Sequence, residues 1–228
     1  MTGAGLAFRY DSWTQTTAMR SLCAVLAATH SASHLERAVQ AVADWDAVVD
    51  LASRHAVDGL VTNAVRSVGF VLPSHVGTRL AHLAFLRSIR YQRTLDATLL
   101  VLDALATDGI SALSLKGAIL ADRYYDDPVS RPSKDVDVLV VGADLDRAMS
   151  TLERLGFESL ETPERVRLHR RYDHAVTLVN GQLDIVVELH FHAYRVAGAL
   201  LDAAPLLERS RRHAMRAGAT VSVLSAED

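Results

Sequence analysis

Asp135-Val136-Asp137 opens a β-prone run that continues to Val141. In a strand, alternate side chains share one face, so the two carboxylates project the same way with one residue between them. Carboxylates held that close repel unless a cation stands between them. Magnesium suits the place, because it takes oxygen ligands, keeps several waters and completes its shell with substrate phosphates. A bare Asp-x-Asp also suits a solvated strand start, so the neighbouring chain carries the argument. Upstream, Leu113-Ser114-Leu115-Lys116-Gly117 reads as strand, then glycine, then helix. That order aims backbone N–H groups at an anion, and Lys116 adds a positive charge beside them. Taken alone, Gly117 is an ordinary turn glycine.

A third acid comes from the clearest local signal in the chain. Asn180-Gly181 lies between the apolar stretches 174–179 and 183–191, which predicts a hairpin closed by a two-residue type I′ turn. In that register Val179 faces Gln182, Thr177 faces Asp184 and Asp173 faces Glu188. Alternation then puts Tyr172, Val176, Leu178, Leu183, Ile185, Val187 and Leu189 on an apolar face. Asp173, Thr177, Asp184, Glu188 and His190 share the polar one. Two acids facing each other across a ladder need compensation, from a metal or from Arg131 or Arg171.

These groups need a scaffold, and the chain changes grammar half-way. Up to about residue 107 it reads as helices. Ser12 or Thr14 caps a stretch through Met19, Leu22, Val25 and Leu26, and Asp44 precedes Trp45, Val48, Val49 and Leu51. Pro73-Ser74 opens a long segment whose leucines (80, 83, 95, 99, 102, 105) fit one helical face. Asp108-Gly109 then punctuates. A short strand follows over 110–115, a helix over 118–125, the strand 136–141, and a helix over 143–155 ended by Gly156. The expected architecture is α+β: a helical region, residues 1–107, followed by a domain, residues 108–228, with a small sheet.

Composition sets bounds. Of 228 residues half are hydrophobic and 22% charged, and the formal net charge is −3, so no global basic field draws in nucleic acid. A single cysteine, Cys23, excludes an internal disulfide and a multi-cysteine zinc site, and reads as a small buried hydrophobe. No apolar run approaches the roughly 20 residues that span a bilayer. The first residues lack a signal-peptide pattern, so a cytoplasmic protein is expected. Ser225, with Asp228 three residues on, reads as a helix cap with no helix after it, so a native chain continuing past Asp228 is expected.

The stretch Leu115-Lys116-Gly117-Ala118-Ile119-Leu120-Ala121, with Tyr125-Asp126-Asp127-Pro128 and Arg131-Pro132-Ser133-Lys134-Asp135-Val136-Asp137-Val138-Leu139-Val140, resembles an uncharacterised nucleotidyltransferase family of the polymerase-β-like superfamily. The likeness extends to the helical half and to Val187-Glu188-Leu189-His190. It implies a polymerase-β-like domain with a mixed sheet. It also implies magnesium-dependent transfer of a nucleoside monophosphate from a nucleoside triphosphate to a hydroxyl acceptor (small molecule, peptide or RNA). Carried over, Asp135 and Asp137 hold two metal ions and Glu188 is the third carboxylate, which helps activate the hydroxyl. Gly117 approaches the triphosphate, with Lys116 and Arg131 as phosphate contacts. Two departures stand out. Gly117-Ala118 replaces the usual Gly-Ser of the phosphate turn, and Lys134 stands where glycine is common, either as a phosphate contact or solvated. Asp184 competes with Glu188 for the third carboxylate but sits near the hairpin tip.

Two other classes stay open. The Gly117-Ala118 departure suits a nucleotide-binding module without turnover. His190-Phe191-His192 places two imidazoles beside Glu188, as a zinc metallohydrolase would. His169 and His174 read as ordinary loop and sheet residues. The basic residues Arg209, Arg211, Arg212, His213 and Arg216, and Arg87, Arg90 and Arg93, suit either solvated helix faces or an RNA or phosphate partner.

Overall fold

Asp44 caps a helix in the first half of the chain, as its sequence suggests. Its side chain accepts from the Ala47 amide at 3.0 Å and caps a helix over Trp45–Arg54, an interaction worth about 1 kcal/mol. A computed structural model of the chain describes residues 12–196 and 199–228. Its helices are α1 (Ser12–Ala27), α2 (Ala32–Gln40), α3 (Trp45–Arg54), α4 (Asp58–Ser67) and the 34-residue α5 (Ser74–Thr107), which starts directly after Pro73. The described residues up to Leu86 form one compact unit and Arg87–Asp228 a second, so α5 contributes to both. The first unit is cored by Leu22, Val25, Val39, Val48, Val49 and Val61. Cys23 is exposed rather than buried. α1 buries Ala18, Leu22 and Val25, and the residue after Leu22 turns about 100° away from that stripe.

The second unit holds β1 (Ala112–Ser114), α6 (Ala118–Tyr124), β2 (Asp135–Val140), α7 (Leu145–Arg154), β3 (Glu158–Ser159), α8 (Pro163–Tyr172), β4 (Ala175–Asn180), β5 (Ile185–His190), β6 (His192–Val196), β7 (Ala199–Asp202), α9 (Ala204–Glu208), β8 (Arg211–Ala214) and β9 (Thr220–Val223). Seven strands form one sheet in the order β3-β4-β5-β2-β1-β9-β8, and β6-β7 form a separate ribbon. The sheet is mixed: β2 with β5 and β1 with β9 are parallel, the other pairs antiparallel. This is the expected α+β class, with a larger sheet than expected. Ala97, Val101 and Leu105 of α5 pack with Val136, Val138, Val140, Val187 and Leu189 on one face. Pleat alternation therefore leaves Asp135, Asp137 and Glu188 together on the other.

The hairpin forms with a different register. β4 and β5 pair Thr177 with Glu188 and Asn180 with Ile185, so the connection is four residues long. Gly181 does not adopt the positive φ that a type I′ turn needs; Asp184 does, at 51°. Asn180 stays in the ladder. Its Oδ1 accepts from the Gln182 and Leu183 amides at 3.1 and 3.0 Å, and its Nδ2 donates to the Leu155 carbonyl at 3.1 Å. Each partner is displaced by four positions, an even number, so Val176, Leu178, Ile185, Val187 and Leu189 keep the expected buried face. Tyr172 and Leu183 do not join them: one ends α8, the other lies in the loop, and both are exposed. The residues of β8 form a strand rather than a helix face, and among the described residues nothing helical follows Ser225, whose hydroxyl donates to Asp228 at 2.7 Å. Among the described residues no helix is long and apolar enough to cross a membrane.

Candidate active site

The strand β1 delivers Lys116 and Gly117 to the end of the sheet where β2 begins. The Leu115 amide donates to the Asp137 carbonyl at 3.1 Å, and Gly117 turns the chain into α6 with φ 74° and ψ −141°. That conformation belongs to glycine. A Cβ added there would stand 3.2 Å from Ser133 Oγ and 3.5 Å from the Asp135 carbonyl oxygen. Arg131 closes the turn from outside, donating to the Gly117 carbonyl at 3.2 Å. Ser133 Oγ donates to the Asp135 carbonyl at 3.0 Å, so the glycine turn and the start of β2 are locked together. Ser133 was not singled out from the sequence, although it lies within the resembling block. α6 is seven residues long, so Lys116 and Arg131, more than a helix dipole, make this corner attractive to anions. Ala118, where a serine is usual, is buried against Leu95, Ile119 and Met215.

Asp137 and Glu188 are direct partners in the parallel β2–β5 ladder, and Asp135 lies opposite Val186 on the same face. The Lys116 ammonium stands among the three acids: 2.9 Å from Asp137 Oδ1, 3.9 Å from Asp135 Oδ2 and 3.9 Å from Glu188 Oε2. From the far side the buried His190 brings Nε2 to 3.2 Å from Asp137 Oδ1 and 3.5 Å from Glu188 Oε2. The compensation expected for Glu188 thus comes from Lys116 and His190, not from Arg131 or Arg171. Asp173 does not face Glu188; it ends α8 and binds the His174 amide at 2.8 Å.

Burial and charge drive the acids apart in acidity. Burial pushes the Asp137 carboxyl up, but the His190 and Lys116 hydrogen bonds and charges outweigh it and hold the group below the usual carboxylate range. Glu188 goes the other way: burial raises it first, and sharing a proton with ionised Asp137 raises it further against the pull of Lys116 and His190. Lys116 loses some affinity for its proton to burial and regains more from Asp137, Asp135 and Glu188. The two neighbouring acids are thus shifted in opposite directions by the same surroundings.

Asp137, Glu188 and His190 offer ligand atoms all within 4.8 Å of one another. Asp137 Oδ2 is buried with no hydrogen-bond partner, while its Oδ1 is the atom that meets Lys116 and His190. Hard oxygen donors in this number suit magnesium. His192, the second imidazole of a zinc pair, is not in that cluster. Asp184 is set apart as well, its side chain exposed and paired with Arg93 at 3.2 Å. Lys134 is exposed and lines a cavity with Arg90, Arg93 and Asp184, beside Asp135 in sequence but turned from the Gly117 corner.

The sequence profile of the family described as "uncharacterised nucleotidyltransferase" matches residues 41–228. The chain belongs to that family. The family's description agrees with the resemblance of the Lys-Gly to Asp-x-Asp block. No curated protein matches the chain. Similar solved structures include a solution structure of the antibiotic-resistance factor ANT(2'')-Ia, 19% identical over 59% of this chain, with a TM-score of 0.41. A crystal structure of ANT(2'')-Ia in complex with adenylyl-2''-tobramycin is also 19% identical over 59% of this chain, with a TM-score of 0.40. The chain spans 65% of the first of those chains and 69% of the second.

Proposed function

We propose that the chain transfers a nucleoside monophosphate from a nucleoside triphosphate to a hydroxyl acceptor, with magnesium held by Asp135, Asp137 and Glu188. The observation that carries this reading is the convergence of Asp135, Asp137 and Glu188 on the Lys116 ammonium, with Asp137 and Glu188 offering ligand atoms within 4.8 Å of each other. When bound, two magnesium ions would neutralise phosphate charge and favour the in-line displacement. Asp137 stays ionised to hold a cation. Glu188 takes the proton of the attacking hydroxyl as the bond to the α-phosphorus forms and pyrophosphate leaves. His190 orients both acids from behind. Lys116 and Arg131 supply positive charge to the phosphates beside Gly117, and the Ser133 hydroxyl lies at the same turn, which lacks the usual serine at Ala118.

The test is incubation with magnesium and each α-labelled nucleoside triphosphate, with tRNA, peptide, aminoglycoside and sugar-phosphate acceptors offered in turn. Label should pass to an acceptor, and Asp137→Asn and Glu188→Gln should each abolish the transfer while leaving the fold intact by circular dichroism. Tight triphosphate binding with no labelled product from any acceptor would sink this proposal in favour of a nucleotide-binding module.

A further inference from the structure

The Lys116 ammonium cannot do at one time the two things that the site asks of it. It stands 2.9 Å from Asp137 Oδ1 and 3.9 Å from both Asp135 Oδ2 and Glu188 Oε2, the acids proposed to hold magnesium. To meet a phosphate beside Gly117 it has to leave those oxygens. Two cations that close together repel, so the ammonium and a metal ion compete for the same three carboxylates. The chain around Lys116 decides what can move. Its carbonyl accepts from Ser114 Oγ at 3.0 Å. The Leu115 amide before it is tied to the Asp137 carbonyl, and the Gly117 carbonyl after it accepts from Arg131. With the backbone pinned on both sides, the freedom lies in the side chain, which is 45% exposed and carries its charge on a flexible four-carbon stem.

Residue usage points the same way. Of the chain's 24 lysines and arginines, only Lys116 and Lys134 are lysines. A guanidinium is a planar fork that grips one carboxylate in a fixed plane. An ammonium is compact, with three donors that turn freely among several acceptors, and it is an ammonium that stands where the three acids converge. We infer that Lys116 is the exchangeable occupant of the metal site. Without metal it neutralises Asp135, Asp137 and Glu188; when a divalent ion takes those oxygens, the ammonium swings to a phosphate of the incoming triphosphate. Metal and triphosphate then strengthen each other's binding through this one side chain. The phosphate half of the exchange rests on the nucleotidyl-transfer reading above, whereas the competition with metal does not.

Because the chain has two lysines, protein carrying lysine isotopically labelled at Cε gives two side-chain NMR signals, and Lys134→Arg assigns them. At constant pH, magnesium alone should shift the Lys116 signal, and a non-hydrolysable ATP analogue added next should shift it again. The analogue with EDTA in place of magnesium should leave it where it was. By calorimetry, Lys116→Met should bind magnesium at least about tenfold more tightly than wild type, the weight of one charge-assisted hydrogen bond. At saturating magnesium it should bind the analogue at least about tenfold more weakly, having lost the phosphate contact. A purely structural role would not move the two affinities in opposite directions. A Lys116 signal that stays put with magnesium bound overturns the exchange. So does a magnesium affinity that Lys116→Met leaves unchanged, or failure of both proteins to bind magnesium. Tighter magnesium binding by the variant, with no analogue bound by either protein, would overturn the phosphate half together with nucleotidyl transfer and leave the competition standing. The NMR arm reads wild-type Lys116, so it decides the exchange even where circular dichroism shows the variant misfolded.

Discussion

Replacing Gly117 by alanine tests how the phosphate turn is tied to the metal-holding strand. At φ 74° and ψ −141° the backbone lies outside even the left-handed helical well, and strain of that kind costs about 1–3 kcal/mol in a residue with a side chain. The new Cβ also meets Ser133 Oγ at 3.2 Å. Ser133 has a short side chain, so giving way would loosen its hydrogen bond to the Asp135 carbonyl, worth about 1 kcal/mol. The stiffer unfolded chain returns about 0.4–1 kcal/mol. The net expectation is a loss of roughly 2 kcal/mol, read by urea unfolding. A double-mutant cycle separates the parts. Ser133→Ala removes the contact but not the backbone strain, so the double variant should cost less than the two single losses added. If Gly117→Ala stays within about 0.5 kcal/mol of wild type, the turn is not held as described.

Three further outcomes follow from other residues. Asn180→Ala strips the β4–β5 loop of three part-buried hydrogen bonds and should cost about 2–3 kcal/mol in urea unfolding; a loss below about 1 kcal/mol would mean that the loop closes without it. Lys116→Met removes the cation that three carboxylates share. The melting temperature without magnesium should fall, and added magnesium should raise it more than in wild type, since a ligand of the folded state stabilises by mass action; equal magnesium shifts would refute the shared site. Asp108 is held below its ordinary value by the Thr151 hydroxyl and then by Arg154. A depressed carboxylate contributes stability above its unfolded pKa, lost as pH falls through the lower folded one. Asp108→Asn should therefore flatten the acid limb of the stability profile below about pH 4 and leave its alkaline side unchanged, as urea unfolding across pH would show.

What the sequence made legible was written in strong local signals. Asp44 as a cap, Pro73 before α5 and the valines after Asp135 each name an element by their own chemistry. The pairing of Asp135 with Asp137 and the polar face of Glu188 also followed from alternation, and the latter survived a wrong register because the displacement was even. Contacts between distant segments were not legible. That β5 lies parallel to β2, or that Lys116 reaches three acids, is a matter of topology that no local pattern records. α8 was passed over because Pro163–Tyr172 buries only Val166, so no apolar stripe announces it. β8 looked like a basic helix face because Arg211 and Arg212 are exposed strand residues with no alternation to betray them. Cys23 was misplaced by a residue-type average where helical phase was the better guide.

The parallel pairing of β2 with β5 also sets an order of events during synthesis. Asp135, Asp137 and Lys116 leave the ribosome early, but Glu188 and His190 follow only after α7, β3, α8 and β4 have been made. Until β5 docks beside β2, Lys116 has Asp135 and Asp137 beside it but not Glu188. The full set of acids around Lys116 is thus assembled only when the central ladder closes.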